Sequence, residues 1–152
     1  MIQLKRVQTD DTDFATLIDL LDKDLWARYP DTQQFFHAFN IVKLDANAIV
    51  AYENGIPVGC GCYRETEDGH VVEVKRMFVK EEARGKGIAK KIVMELERWA
   101  HENGYSRAIL ETGTNQPEAI ALYTKMGYKL IDRYAPYIDS EQSVCMGKEL
   151  SL

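Results

Sequence analysis

Residues 79–89 read Val79-Lys80-Glu81-Glu82-Ala83-Arg84-Gly85-Lys86-Gly87-Ile88-Ala89. A β-rich run, Val71-Val72-Glu73-Val74-Lys75-Arg76-Met77-Phe78-Val79, leads into this stretch. An amphipathic pattern carried by Ile88, Ile92, Leu96 and Trp99 leaves it. A strand, a glycine loop and a helix start together make an anion site. The first helical turn has free N–H groups, and the helix dipole adds partial positive charge there. Gly85 and Gly87 let the backbone approach a bulky phosphate, and Arg84 and Lys86 add formal charge. An ordinary turn is the competing reading of such a glycine pair. The loop is not a Walker loop, which needs G-x-x-x-x-G-K followed by Ser or Thr. It is not a dinucleotide fingerprint either, since Lys90 stands where the third glycine would be.

Outward from this loop, the pattern resolves into short elements. Residues 2–7 alternate apolar and polar, as a half-buried strand does. Asp10 or Asp11 can cap a helix over residues 12–28, where Phe14, Leu17, Ile18, Leu21 and Leu25 form one stripe and Pro30 follows. Phe35, Phe36 and Phe39 suggest a short second helix within 31–46, either packing the core or shaping a pocket. Strands are expected at 48–52, 57–64 and 70–79, separated by the turns Asn54-Gly55 and Asp68-Gly69. A helix runs from 88 to about 101 and stops at Asn103-Gly104. A strand at 108–111, a helix from near Pro117 to Gly127, and strands at 128–133 and 143–148 complete the chain. The order is β-α-(α)-β-β-β-α-β-α-β-β. It predicts an α/β (α+β) domain with a mixed sheet covered by helices on both faces.

The chain has 152 residues, 45% hydrophobic and 28% charged, which suits one domain spanning 1–152. No apolar run approaches membrane length, and the N-terminus lacks the apolar core of a signal peptide. The expectation is a cytoplasmic protein without a membrane partner. A net charge of −5 argues against nucleic acid as the main partner. Cys60 and Cys62 share one face of a predicted strand, and reduced core thiols are preferred over a metal or redox pair. His37, His70 and His101 form no ligand spacing, so no metal site is expected.

Arg84-x-x-Gly87-x-Ala89 resembles the acyl-CoA signature of the GNAT superfamily of N-acetyltransferases, Q/R-x-x-G-x-G/A. A second block, from Leu110-Glu111-Thr112-Gly113 to Ala119-Ile120-Ala121-Leu122-Tyr123 and Met126-Gly127-Tyr128, resembles the later A-x-x-L-Y-x-x-x-G-F/Y pattern of that superfamily. The two blocks cover about 70–134 in matching order. The resemblance implies the GNAT acyl-CoA N-acyltransferase fold, with a central mixed, mostly antiparallel sheet. It implies acetyl-CoA as co-substrate, no metal, and direct transfer to a primary amine on a small molecule or protein. Members of the superfamily are often homodimers.

The same resemblance assigns roles. The amides of Gly85, Lys86, Gly87, Ile88 and Ala89, with Arg84, would hold the pyrophosphate. Backbone groups of Met77, Phe78 and Val79 would pair with the pantetheine arm. Gln116, or Asn115 beside it, would touch that arm. Tyr123 would protonate the departing thiolate, because a phenol is protonated at neutral pH; packing against the sheet is its alternative role. Glu73 is a base candidate, although alternation puts Glu73, Lys75 and Met77 on one face and Glu73 could simply pair with Lys75. Glu111 is a second candidate, and water alone a third. Tyr134, Tyr137, Asp139 and Glu141 either wall the acceptor site, where they could hold a cationic amine, or form a solvated loop. The rival functions are a CoA-binding sensor or regulatory module without turnover, and a nucleotide-binding module that reads only phosphate.

Overall fold

Turn chemistry and alternation build most of the sheet. The computed structural model describes residues 1–29 and 46–151. The short helix expected in 31–46, with Phe35, Phe36 and Phe39, lies outside the described residues but for Ala46. The elements are β1 (Ile2–Gln8), α1 (Thr12–Arg28), β2 (Asn47–Glu53), β3 (Ile56–Glu65) and β4 (Val71–Val79). A 3-10 turn (Glu81–Ala83) precedes α2 (Ile88–Glu102), β5 (Arg107–Gly113), α3 (Pro117–Lys125), β6 (Lys129–Leu130) and β7 (Ser143–Glu149). Asp11, rather than Asp10, caps α1 by accepting the Phe14 N–H at 3.0 Å. Asn54 and Gly55 both take positive φ, the geometry that closes a two-residue hairpin between β2 and β3.

The seven strands stand in the order β1-β2-β3-β4-β5-β7-β6. Neighbours are antiparallel except β4 and β5. Ala48, Val50, Cys60 and Cys62 turn to one face, under Phe14 and Leu17 of α1. Ile49 and Ala51 turn to the other, where Ile88, Ile92, Val93 and Leu96 of α2 and Tyr123 of α3 join the larger core. Burial on both faces explains why β2 reads as a continuous apolar run. Each fully buried aliphatic side chain in this core stabilises the fold by about 1.5–3 kcal/mol before entropy is counted.

Two expectations need correction. The strand expected over 128–133 is reduced to Lys129 and Leu130. Ile131 N–H still reaches the Cys145 carbonyl, but the chain then turns so that Tyr137 can bury against Cys145. The shared face of Glu73, Lys75 and Met77 also fails. Cys62 pairs with Lys75 and Cys60 with Phe78, so β4 carries one extra residue opposite Gly61. Arg76 absorbs this bulge with φ of 59°. Met77 is thereby turned to the α2 face, where its sulfur occupies the space a Cβ at Gly61 would need. The Cys60 and Cys62 thiols lie against the carbonyls of Arg76 and Lys75. Burial pushes both thiols upward, Cys62 to about 12, so they stay protonated packing groups.

Candidate active site

The β4–β5 pairing starts at Val71–Arg107 and ends at Val74–Leu110. Beyond it β4 runs to Val79 and β5 to Gly113 without pairing to each other. The bulge at Arg76 turns β4 away at that point. A cleft of about 430 Å³ opens there, within the range of small-molecule sites. The glycine loop, α3, the end of β5 and the last two turns of α1 line it.

The glycine loop forms one end. Gly85 and Gly87 have φ of 82° and 76°, conformations that a side chain disfavours. Gly87 is the N-cap of α2, and no atom approaches the position its Cβ would take. The first amides of α2 are thus open to the cleft. Arg84 lines the cleft, with its Nε donating to the Val79 carbonyl at 2.9 Å and its guanidinium over the Phe78 ring. Lys86 turns the other way. Its ammonium pairs with Glu53 at 2.9 Å, and its side chain is no part of the cleft wall. Met77, Phe78, Val79, Ile88 and Ala89 all line the cleft.

The two amides after β5 separate clearly. Gln116 lines the cleft, and its Oε1 accepts the Gly113 N–H at 3.1 Å. Asn115 faces α1 instead. Its N–H donates to the Tyr29 hydroxyl at 3.0 Å, its Nδ2 to the Arg28 carbonyl, and its own carbonyl accepts from Arg28. Arg28 also pairs with Asp24 and with Glu118 of α3, which fastens the end of α1 across the cleft. Tyr29 packs so close over Gly113 that a Cβ there would lie 1.6 Å from its hydroxyl.

Tyr123 is buried, lines the cleft, and stacks edge-on against Tyr128. Burial alone raises its phenol, and among the described residues no group hydrogen-bonds the hydroxyl. It is a protonated, uncommitted donor at neutral pH. Glu111 is half-buried in the cleft wall. Burial pushes its carboxyl up to about 7, against a 2.7 Å hydrogen bond donated by Ser143 and the charge of Lys75. Glu73 does not reach the cleft. Arg64 holds one of its oxygens at 2.9 Å and the Tyr134 hydroxyl donates to the other at 2.8 Å. Tyr134 and Tyr137 pack edge-on, with Tyr137 buried, while Asp139 and Glu141 are exposed.

The comparisons agree with this architecture. Residues 11–128 match the model of the Acetyltransferase (GNAT) family. The chain belongs to that family. Acetyl transfer is its chemistry, and a CoA thioester is the acetyl donor the family uses. It is 36% identical over 135 residues to the IAA acetyltransferase of Azospirillum brasilense, covering 88% of each chain. It is 28% identical over 150 residues to the uncharacterized N-acetyltransferase YsnE of Bacillus subtilis (strain 168), covering 95% of this chain and 99% of that protein. The crystal structure of a Klebsiella pneumoniae protein provisionally described as an acyl-CoA N-acyltransferase superposes with a TM-score of 0.82, at 31% identity over 99% of both chains. The fold is also that of the PaiA N-acetyltransferase from Thermoplasma acidophilum, solved with coenzyme A (TM-score 0.74, 18% identity, 98% and 99% covered).

Several site residues of this GNAT chain escape a motif reading. The wall from Leu21 to Tyr29 is the apolar stripe of α1 continued, so only its length points to it. Arg76 has no local signal, because nothing in V-K-R-M-F marks a left-handed arginine. Among the described residues, no cluster of three or more His, Cys, Asp or Glu could hold a metal ion, and no helix is long and apolar enough to cross a membrane.

Proposed function

We propose that residues 1–152 act as a single N-acetyltransferase domain that moves the acetyl group of acetyl-CoA directly to a primary amine. The observation that carries this reading is the opened β4–β5 slot, which has the glycine loop at one end and Tyr123 and Glu111 in its walls. The amides of residues 85–89 and the Arg84 guanidinium bind the pyrophosphate. The unpaired edge of β4, from Met77 to Val79, takes the pantetheine arm as a strand takes a partner. Gln116, which is in the cleft, contacts the arm; Asn115 instead anchors α1. Free N–H groups of the same β4 edge face the developing oxyanion.

The chemistry then needs two proton movements. The amine nitrogen attacks the acetyl carbonyl and the C–S bond breaks with its electron pair on sulfur. Tyr123 gives its proton to that thiolate. Glu111 takes the proton from the amine, and its raised pKa suits a base working near neutrality. Glu73, with both oxygens already bound, serves by holding Tyr134 and Arg64. Nothing in the cleft favours a sensor without turnover.

Calorimetric titration with acetyl-CoA, with ATP and NAD as controls, followed by thiol release in an amine screen, tests the reading. Selective micromolar binding of acetyl-CoA and release of free thiol with an amine support it. Equal binding of all three nucleotides, or none, overturns it.

A further inference from the structure

Lys75 and Arg76 are consecutive, yet both line the cleft. Consecutive strand residues normally point to opposite faces. The left-handed backbone of Arg76 breaks that rule, sending Lys75 toward Tyr137 at 3.5 Å and Arg76 toward Asp22 of α1. This arrangement carries two costs. A non-glycine residue at φ of 59° stores backbone strain, and such strain collects at ligand sites. The Arg76 side chain is only 4% exposed, Asp22 engages its Nη2, and its Nε is buried with no partner among the described residues. A buried charged donor left unpaired is costly, and native proteins keep few of them.

The charge balance points the same way. Asp22 offsets one of the two cations. Glu73, which Arg64 also holds, and Glu111 both act on Lys75, and in the reaction proposed above Glu111 takes up the proton of the amine. A planar anion supplied by the acceptor would then restore, beside the buried Arg76, the negative charge that Glu111 gives up. Arginine suits a carboxylate there because its donors form a rigid fork.

We infer that the acceptor is an amine that also carries a carboxylate, of the amino-acid kind, and that Arg76, with Lys75 beside it, binds that carboxylate. This rests on the acetyl-transfer reading given above. It also disfavours an acceptor held by its cationic amine alone at Tyr134, Tyr137, Asp139 and Glu141. Arg76 then acts as the specificity determinant, while the amine lies toward Glu111 and the thioester.

The test pairs each amino acid with its decarboxylated amine: phenylalanine with phenethylamine and alanine with ethylamine, with 1,4-diaminobutane as the dication. Turnover and binding to the CoA-loaded protein are both read. A site built to bond a polar group rejects the analogue lacking it strongly, so at least one amino acid should exceed its partner about 100-fold in kcat/KM. Arg76→Gln should shrink that ratio at least about 10-fold through KM, with partial return in Arg76→Lys and with acetyl-CoA affinity as the folding control. Where Arg76→Gln does not fold, the wild-type ratio decides alone. Equal or better use of the decarboxylated amines or the dication overturns the inference. So does binding of acetyl-CoA without binding or turnover of any carboxylated amine. Failure to bind acetyl-CoA at all would instead overturn the acetyl-transfer reading beneath it.

Discussion

The two ends of the cleft hold charge by different means. On the reading proposed above, the donor end is made of main chain: a left-handed glycine at the α2 N-cap, open helix amides and the free edge of β4, all within residues 77–89. The acceptor end, on the same reading, is made of buried and half-buried side chains from distant elements: Asp22 of α1, Lys75 and Arg76 of β4, Glu111 of β5 and Tyr137 before β7. Amides present a fixed field at little cost, because any helix start leaves them unpaired. Buried side-chain charges must be balanced one by one and are expensive when a partner is missing. The donor end should therefore respond to changes in shape, and the acceptor end to changes in charge.

Gly87→Glu should have the largest effect. The new carboxylate would stand at the mouth of the amide nest and repel the pyrophosphate. The left-handed φ adds about 1–2 kcal/mol of strain. No atom lies within 4 Å of the Cβ position, so the fold should survive. Calorimetry should detect no acetyl-CoA binding while circular dichroism stays native. Retained affinity would mean that the donor is not held by these amides.

Tyr123→Phe removes only the hydroxyl and keeps the ring against Tyr128. Loss of a general acid typically costs about 10²–10⁴-fold, so kcat should fall by at least about 100-fold with acetyl-CoA affinity nearly unchanged. Unchanged kcat would make Tyr123 a packing residue.

Glu111→Gln should lower kcat about 10- to 100-fold and abolish the rise of rate through pH 7. The stability effect has the opposite sign. The folded pKa of about 7 lies above the ordinary 4.5, so the native state binds the extra proton in between. Stability from this group is present below 4.5 and is lost as pH rises through 7. Urea unfolding at pH 8 should thus show the glutamine variant as the more stable protein, by up to about 3 kcal/mol. If the variant lost both activity and stability at pH 8, Glu111 would be a structural partner of Ser143 instead.

These expectations differ in how visible their residues are in the amino-acid sequence. The strand, glycine loop and helix start around Arg84, Gly87 and Ala89 were readable because they are contiguous; that this junction holds the donor is the proposal made above. The β2–β3 hairpin was equally local, set by Asn54-Gly55 and by alternation, whereas the mostly antiparallel order of the whole sheet was implied by the family resemblance. The acceptor end was not local. Met77 was expected beside Glu73 and Lys75 because alternation counts residues, and a bulge changes the count without a composition signal. Glu73 outranked Glu111 because neither Arg64 nor Tyr134 announces itself as a partner across nine or sixty-one positions. The strand over 128–133 was overextended because the burial of Tyr137 is a tertiary pull that local β-propensity cannot show.

Gly113→Ala probes the joint between the two ends. One methyl would overlap the Tyr29 hydroxyl, and Tyr29 holds the Asn115 amide. Relief would have to move the end of α1, which Arg28 ties to Glu118. A loss of about 1–3 kcal/mol is expected, a fall of several degrees in Tm, along with a rise in KM for the acceptor rather than for acetyl-CoA. Equal changes in both KM values would show that the cleft moves as one body, and the division between its ends would dissolve.

Lys86→Ala should do least, although Lys86 sits inside the signature. Its ammonium is spent on Glu53, nearly half its side chain is in solvent, and its amide survives the substitution. A surface pair of this kind contributes about 0–1 kcal/mol, and salt screens it. Affinity for acetyl-CoA should therefore change by less than about threefold at 0.15 M salt, with an equally small change in Tm. A tenfold loss would mean that Lys86 leaves Glu53 for the phosphates when the donor binds. The companion Glu53→Gln would then raise affinity, since it frees the same ammonium. That pair of results would turn the donor end into a side-chain site like the acceptor end.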